Sequence, residues 1–255
     1  MACLELLPAE AAAPRRIVSI NACADQLILA LADREQILAL THYARDPDMS
    51  FYADRAEGLP TIRGDAEEVL KLKPDLVLAG SFTRSATRAQ LAAQSIRIVT
   101  FSPARSIEDV KKHIREVASL VGQETRGDTL VAEIDAAFAN LRPSSRPLRA
   151  LQLQRRAFAA GTDTLIHDIM QRLGIVNAAT DLGIRYVGRT SLEAVLKAKP
   201  DVLILDSADP GAVDQGVALL SHPALEEVVP RHRRIVIPSS QIVCASPGIA
   251  LAART

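Results

Sequence analysis

The 255-residue chain contains five phenylalanines, three tyrosines and no tryptophan. Six of these rings, Tyr43, Phe51, Tyr52, Phe82, Phe101 and Tyr186, fall in loops or at the ends of strand-like segments. Rings so placed suit stacking on a large planar or aryl ligand, because an aromatic face buries much area in a fixed geometry. The competing reading has them closing the cores beneath those loops. Arg45, Arg155 and Arg156 accompany them, and a guanidinium fork pairs in bidentate fashion with carboxylate or catecholate oxygens. Arginines held only by water would look the same in sequence. The chemistry on offer is recognition of a bulky, ring-bearing or metal-chelating solute.

Other chemistries find less support. His113 and His167 fall on the polar faces of helical patterns, beside Lys112 and Asp168; His222 precedes a proline, and His232 sits in a basic turn. Only His42 is expected near the aromatic loops. A zinc-type site needs three or four converging ligands, so neither a bound metal nor a cofactor is expected. Cys3, Cys23 and Cys244 lack metal-site spacing; Cys23 and Cys244 either pair with one another or stand as two free thiols. No phosphate loop, nucleophile elbow or dinucleotide fingerprint occurs. Asp25, at a helix start, and Asp206, at a strand end, are candidate catalytic carboxylates, but capping and loop bonding account for both. Thirty acidic residues balance thirty basic ones, which points away from nucleic acid and from a charged membrane surface. No apolar run approaches the ~18–20 residues of a membrane span.

Apolar segments of strand length alternate with helical patterns. Strands are expected at 16–21, 37–41, 76–79 and 96–101, and helices near 24–32 and 83–94 with another in the phrase that opens at Glu67, which implies a parallel sheet wound on both sides. Residues 43–61 lack any period and read as a long functional loop. Ser106 with Asp109 resembles a capping box ahead of a helix carrying Ile107, Val110, Ile114, Val117 and Val121. A second helix over 123–141 has no strand before it and is long enough to connect two lobes. Strands at 148–154, 202–204 and 234–237 then alternate with helices again. The chain also repeats a phrase: Glu67-Glu68-Val69-Leu70-Lys71-Leu72-Lys73-Pro74-Asp75 returns 126 residues later as Glu193-Ala194-Val195-Leu196-Lys197-Ala198-Lys199-Pro200-Asp201. A repeat at half the chain length is too long for a solenoid and means two related lobes with a cleft between them.

Ligands of open parallel sheets bind beyond the carboxyl ends of the strands. That rule nominates Asn21 and Cys23; His42, Tyr43, Arg45, Phe51 and Tyr52; Ser81 and Phe82; and Phe101. From the second half it nominates Arg155, Arg156, Tyr186, Asp206, Ser239 and Ser240.

With its doubled Lys-Pro-Asp phrase, its single connecting helix and its opening strand Ile17-Val18-Ser19-Ile20-Asn21, the chain resembles the periplasmic substrate-binding proteins of ABC importers for iron-siderophores, haem and cobalamin. The resemblance implies two Rossmann-like α/β lobes, 15–122 and 147–255, joined by a single long helix at 123–142. It implies capture of a metal chelate, with an iron-siderophore preferred over cobalamin and haem, and delivery to an ABC permease dimer with ATPase subunits. One exposed glutamate per lobe, Glu67 and Glu193, would meet permease arginines; first-turn glutamates that merely favour the helix dipole are the plainer reading. A monomer with little hinge motion is implied, working in the periplasm. Residues 9–13 resemble the end of an export signal without its full apolar core, so the signal is absent or truncated here, and both ends of the chain read as incomplete. Tryptophan, frequent in the family's ligand sites, is missing. The alternative is a soluble α/β enzyme acting on a bulky anionic substrate in the same cleft.

Overall fold

The computed structural model describes residues 13–143, 145–206, 220, 222–244 and 246–254; Cys3 and most of the 9–13 segment lie outside the described residues. Five short strands form the first sheet: β1 (Ile17–Ser19), β2 (Ile37–Thr41), β3 (Thr61–Ile62), β4 (Leu76–Gly80) and β5 (Arg97–Phe101). Their order is β3-β2-β1-β4-β5, and every pairing is parallel. All five residues of β4 are buried, the mark of a central strand covered on both faces. Helices α1 (Ala22–Leu31), α2 (Ala66–Leu72) and α3 (Ser85–Ala92) make the crossovers.

The second sheet comprises β6 (Leu148–Gln154), β7 (Phe158–Ala160), β8 (Ile175–Asn177), β9 (Val187–Arg189), β10 (Val202–Leu205) and β11 (Arg234–Val236). Its path is β11-β10-β6-β7-β9, with β8 also on β6. The pairings of β6 with β8 and β10, and of β10 with β11, are parallel. The short strands β7 and β9 add antiparallel pairings that the helix–strand alternation did not suggest, because three-residue strands leave no periodic signal. Helices α6 (Leu165–Arg172), α7 (Leu192–Ala198) and α8 (Pro223–Val228) complete this lobe.

The repeated phrase builds the same corner twice. Lys73 ends α2 at φ 48° and Lys199 ends α7 at φ 46°, both left-handed caps that reverse the chain. The aspartate two residues later then grips the neighbouring strand. Asp75 accepts the N–H groups of Arg15 and Arg16 at 2.8 and 3.0 Å, and Asp201 accepts that of Arg149 at 2.9 Å. The arginine side chains return the contact: Arg16 Nε donates to the Lys73 carbonyl at 2.9 Å and Arg149 Nη2 to that of Ala198 at 3.2 Å. Lys-Pro-Asp is thus a structural joint that holds β1 in register with β4, and β6 with β10.

Between the sheets run α4 (Ile107–Val121) and α5 (Glu124–Ala139). The Ser106–Asp109 capping box forms, and Ile107, Val110, Ile114, Val117 and Val121 are all buried. Helix α5, about 24 Å long at 1.5 Å per residue, packs along α4. Gly127 permits the close approach: a Cβ there would sit 2.5 Å from that of Ala118. The chain crosses a second time. After α9 (Ser239–Ile242) it enters α10 (Ile249–Ala252), which packs on α5, and Gly248 lies against the Phe51 ring.

One apolar cluster joins residues of both sheets, running from Ile17 and Leu27 through Ile114 to Ile166, Ile204 and Ile237. A polar seam adds to it: Asp168 of α6 accepts the Ile107 N–H at 2.9 Å, and Arg172 lies 3.6 Å from Glu108. Of the two readings left open for the cysteines, the pair holds. Cys23 in the first turn of α1 is disulfide-bonded to Cys244, just past α9. Reduction of that bond should lower unfolding stability by about 2–5 kcal/mol, measured by denaturant melts with and without a dithiol.

Asp25 is fully buried. It accepts the Thr41 N–H at 3.2 Å and the Thr41 hydroxyl, so it anchors the end of β2 to α1. Burial pushes its carboxyl up to about 7, outweighing the hydroxyl and amide donors of Ser19 and Thr41 that favour the charged form. A folded value above the unfolded one means the folded state holds the proton more tightly. The associated stability is therefore complete below about pH 4 and is lost as pH rises toward 7. Asp25→Asn, which mimics the protonated acid, should flatten that slope and add about 2–4 kcal/mol at pH 8, read from melts across pH.

Candidate functional site

A cleft of about 760 Å³ opens between the lobes. The first lobe supplies the loops that follow β4 and β5, with Ser81 and Phe82 from one and Ser102 to Arg105 from the other. The second lobe supplies Gln152 and Gln154 from β6, the segment 163–166 and Tyr186. Ile242 and Val243, from α9 and the residue after it, complete the wall. Phe82 is 87% exposed and Tyr186 50% exposed, so both rings are free to meet a ligand.

Tyr186 is held from behind. The N–H groups of Gly161 and Asp163 donate to the carbonyls of Tyr186 and Arg185, and that of Thr162 to Ile184 at 3.2 Å. A Cβ at Gly161 would lie 2.2 Å from the Ile184 oxygen, so only glycine allows this close pairing. Two guanidinium groups contact the Tyr186 ring, Arg105 at 5.0 Å and Arg185 at 5.6 Å. The Asp163 carboxylate is 3.0 Å from Arg185 and 3.8 Å from Arg105. Among the described residues, Arg105 and Asp163 are the charged ones on the cleft wall, and their formal charges cancel. The site therefore offers rings, amides and hydroxyls in a neutral frame.

The structure separates the nominated residues into groups. Ser81, Phe82 and Tyr186 line the cleft. Asn21, Cys23 and Phe101 line a smaller chamber beside it, together with His113. His113 corrects the helical-face reading: it is half-buried, edge-on to Phe101 at 5.4 Å, and burial lowers it below the ordinary histidine value. His42 and Tyr43 instead stack on each other at 3.9 Å, exposed and off the cleft lining. Tyr52 is 7% exposed and belongs to the core, with Phe51 edge-on at 5.1 Å and Arg55 over its ring at 4.4 Å; burial pushes its phenol up to about 12.

The nominated arginines also lie elsewhere. Arg45 donates to the Leu59 carbonyl. Arg155 and Arg156 are exposed in the turn after β6, outside the cleft lining, and Arg156 adopts φ 59°. Asp206 is half-buried, and its carboxyl is raised by burial, against which Arg155 acts. Ser239 and Ser240 start α9, with Ser240 buried, and neither lines the cleft; its wall is met one turn on. Glu67 and Glu193 stand exposed in the first turns of α2 and α7, off the cleft lining. Glu67 is 2.7 Å from Lys71, whose hydrogen bond lowers its carboxyl below the usual range; Glu193 accepts the Ser191 hydroxyl at 3.1 Å.

Arg105, Asp163, Gln152 and Gln154 escaped the strand-end rule. The glutamines were signalled by alternation: Leu151-Gln152-Leu153-Gln154 places two amides on one face of the strand and two leucines on the other. Arg105 lies four residues beyond its strand, and only the turn before α4 brings it back.

Two α/β lobes thus meet at a cleft beside the ends of their strands, with α4 and α5 leading from one sheet to the other. The chain belongs to the Periplasmic binding protein family, whose model matches residues 17–234. It is 27% identical to the cobalamin-binding protein of Halobacterium salinarum over 198 residues, 75% of this chain and 53% of that protein. The chain thus spans about half the length of that relative. It is 26% identical to the vitamin B12-binding protein of Pectobacterium carotovorum subsp. carotovorum, over 79% of this chain and 75% of that one. Among solved structures, the apo form of periplasmic heme-binding protein RhuT from Roseiflexus sp. RS-1 superposes with a TM-score of 0.75 at 27% identity, covering 94% of this chain and 95% of that one.

Removing a cleft ring tests the geometry. Phe82→Ala and Tyr186→Ala should each weaken binding of a bulky ring-bearing ligand by about 1–3 kcal/mol in calorimetric titrations, with little change in melting temperature. Tyr52→Ala should do the reverse, costing about 3–5 kcal/mol of stability as a buried ring is lost.

Proposed function

We propose that this chain is an extracytoplasmic solute-binding protein that takes a bulky metal chelate of the tetrapyrrole class, a corrinoid or haem, between its lobes and hands it to an ABC permease. The observation that carries this reading is the 760 Å³ cleft, with Phe82 and Tyr186 presented to it and its two charges cancelled. A disc-shaped chelate with amide or mixed substituents fits such a wall. A strongly anionic siderophore would want the arginines that lie outside it. Of the side chains considered as axial ligands to a haem iron, Tyr52 is buried and His42 and Tyr43 are off the cleft, which leaves Tyr186. The names of the relatives support the ligand class, and family membership favours binding over catalysis. The disulfide supports an oxidising compartment, since such bonds persist outside the cytosol. In this reading 123–142 joins lobes 15–122 and 147–255, and the protein works as a monomer.

Absorbance titrations with cyanocobalamin, haemin, a ferric hydroxamate and a ferric catecholate test the ligand class. Tight binding of a tetrapyrrole with weak binding of the catecholate is expected, and a preference for the catecholate would overturn the reading.

Glu67 and Glu193 take the docking role in this proposal, because first-turn carboxylates on equivalent helices of two lobes can meet the two halves of a permease dimer. Rim charges set association rate and orientation more than stability. Changing both to Ala should leave ligand affinity and melting temperature nearly unchanged while ligand-stimulated ATPase activity of the reconstituted transporter falls sharply. A parallel loss of ligand affinity would place them in a binding site instead.

A further inference from the structure

A second chamber, of about 240 Å³ and more enclosed, adjoins the cleft and shares Ser81, Phe82, Pro103 and Val243 with its wall. Its remaining wall includes Leu27, Phe101 and the Cys23–Cys244 disulfide. That volume is several times the ~30 Å³ share of one water molecule, so it has room for a ring. Among the described residues, no Lys, Arg, Asp or Glu lines it.

Besides the hydroxyls of Ser81 and Ser102 at its mouth, two side chains of this largely apolar chamber can bond a ligand. Asn21 spends its Oδ1 on the α1 cap, accepting from Cys23 and Ala24 at 3.1 Å each. Its Nδ2 makes no hydrogen bond among the described residues and remains a donor. His113 likewise makes no hydrogen bond among the described residues; its one recorded ring contact is with Phe101. Burial lowers this imidazole below the ordinary histidine value and so favours its neutral form, which presents one N–H and one lone pair. Such a chamber rejects a catecholate, which would lose its hydration with no cation in exchange. It suits a neutral heteroaromatic ring, whose faces meet the apolar wall and whose nitrogens meet Asn21 and His113.

We infer that this annex is a second ligand subsite, which takes a neutral heteroaryl arm of the bound chelate and holds it with His113 and Asn21. The inference rests on the proposed binding function for the arm's attachment to a chelate, but the annex is testable without one. The probe is benzimidazole, titrated into protein with 15N-labelled histidine, with the His113 signal identified by its loss in His113→Leu. A saturable shift confined to His113 is expected. Dicyanocobalamin, whose heteroaryl arm is released from the metal by excess cyanide, and dicyanocobinamide, which lacks that ring, then test the link to the cleft. The native protein should favour the arm-bearing chelate by about tenfold or more, and both His113→Leu and the space-filling His113→Trp should cut that preference to about twofold. Binding of the armless chelate should stay unchanged. Should His113→Trp fail to fold, His113→Leu carries the comparison. Benzimidazole leaving His113 unmoved, or equal weakening of both chelates, would overturn the subsite. A His113 shift with neither chelate bound would uphold the subsite and sink the chelate reading.

Discussion

A carboxylate at the foot of each sheet organises what happens at its top. Asp75 holds the N–H groups that enter β1, and Asp201 holds the one that enters β6. These are charge-assisted bonds, stronger than ordinary amide pairs, and they form where the chain has just been reversed by a left-handed lysine. Register follows from them. Because a one-residue slip would turn every side chain to the other face, the grip decides that Ser19 and Asn21 arrive at the top of β1 and that Gln152 and Gln154 face the cleft from β6. A phrase that reads in sequence like a signature of function is, in the fold, the joint that lets two lobes be built alike.

The lobes are bound to each other by more than a helix. Helix α5 crosses once, the segment from α9 to α10 crosses again, and Cys23–Cys244 closes the second crossing onto α1. A shared apolar core and the Ile107–Asp168 seam lie between. Opening such a cleft widely would expose core residues to water, at about 25 cal/mol for each Å² of apolar surface. Resistance to wide opening would therefore come from the whole interface, with the stiffness of a connecting helix supplying only part of it. A preformed cleft also spares the ligand much of the ordering cost of binding.

Much of this was legible beforehand. The doubled phrase and the strand–helix alternation gave two α/β lobes, and the apolar period of 107–121 gave α4 with its cap. What escaped was whatever depends on the third dimension. Tyr52 and Phe82 occupy similar-looking loops, yet one is 7% and the other 87% exposed, because Tyr52 packs into the core edge-on to Phe51 while Phe82 stands just beyond the end of β4. His113 sits on the flank of an amphipathic helix, where a turn of a few tens of degrees decides between solvent and chamber. Arg155 and Arg156 follow a cleft strand immediately, but the left-handed backbone at Arg156 turns the chain into β7 and leaves them outside.

The neutrality of the cleft deserves a physical reading of its own. Arg105 comes from the first lobe and Asp163 from the second, so their attraction also draws the lobes together across the ligand space. At 3.8 Å, with one partner about half exposed, such a pair adds little stability. On the proposed binding function it would set a threshold for cargo. An anionic group entering the cleft must take Arg105 away from Asp163 and leave that carboxylate to Arg185 alone, whereas a neutral ring system slides over Phe82 and Tyr186 with the pair intact. Discrimination then comes from the cost imposed on the wrong ligand as much as from contacts made to the right one, which is how a site with few charges can still be selective.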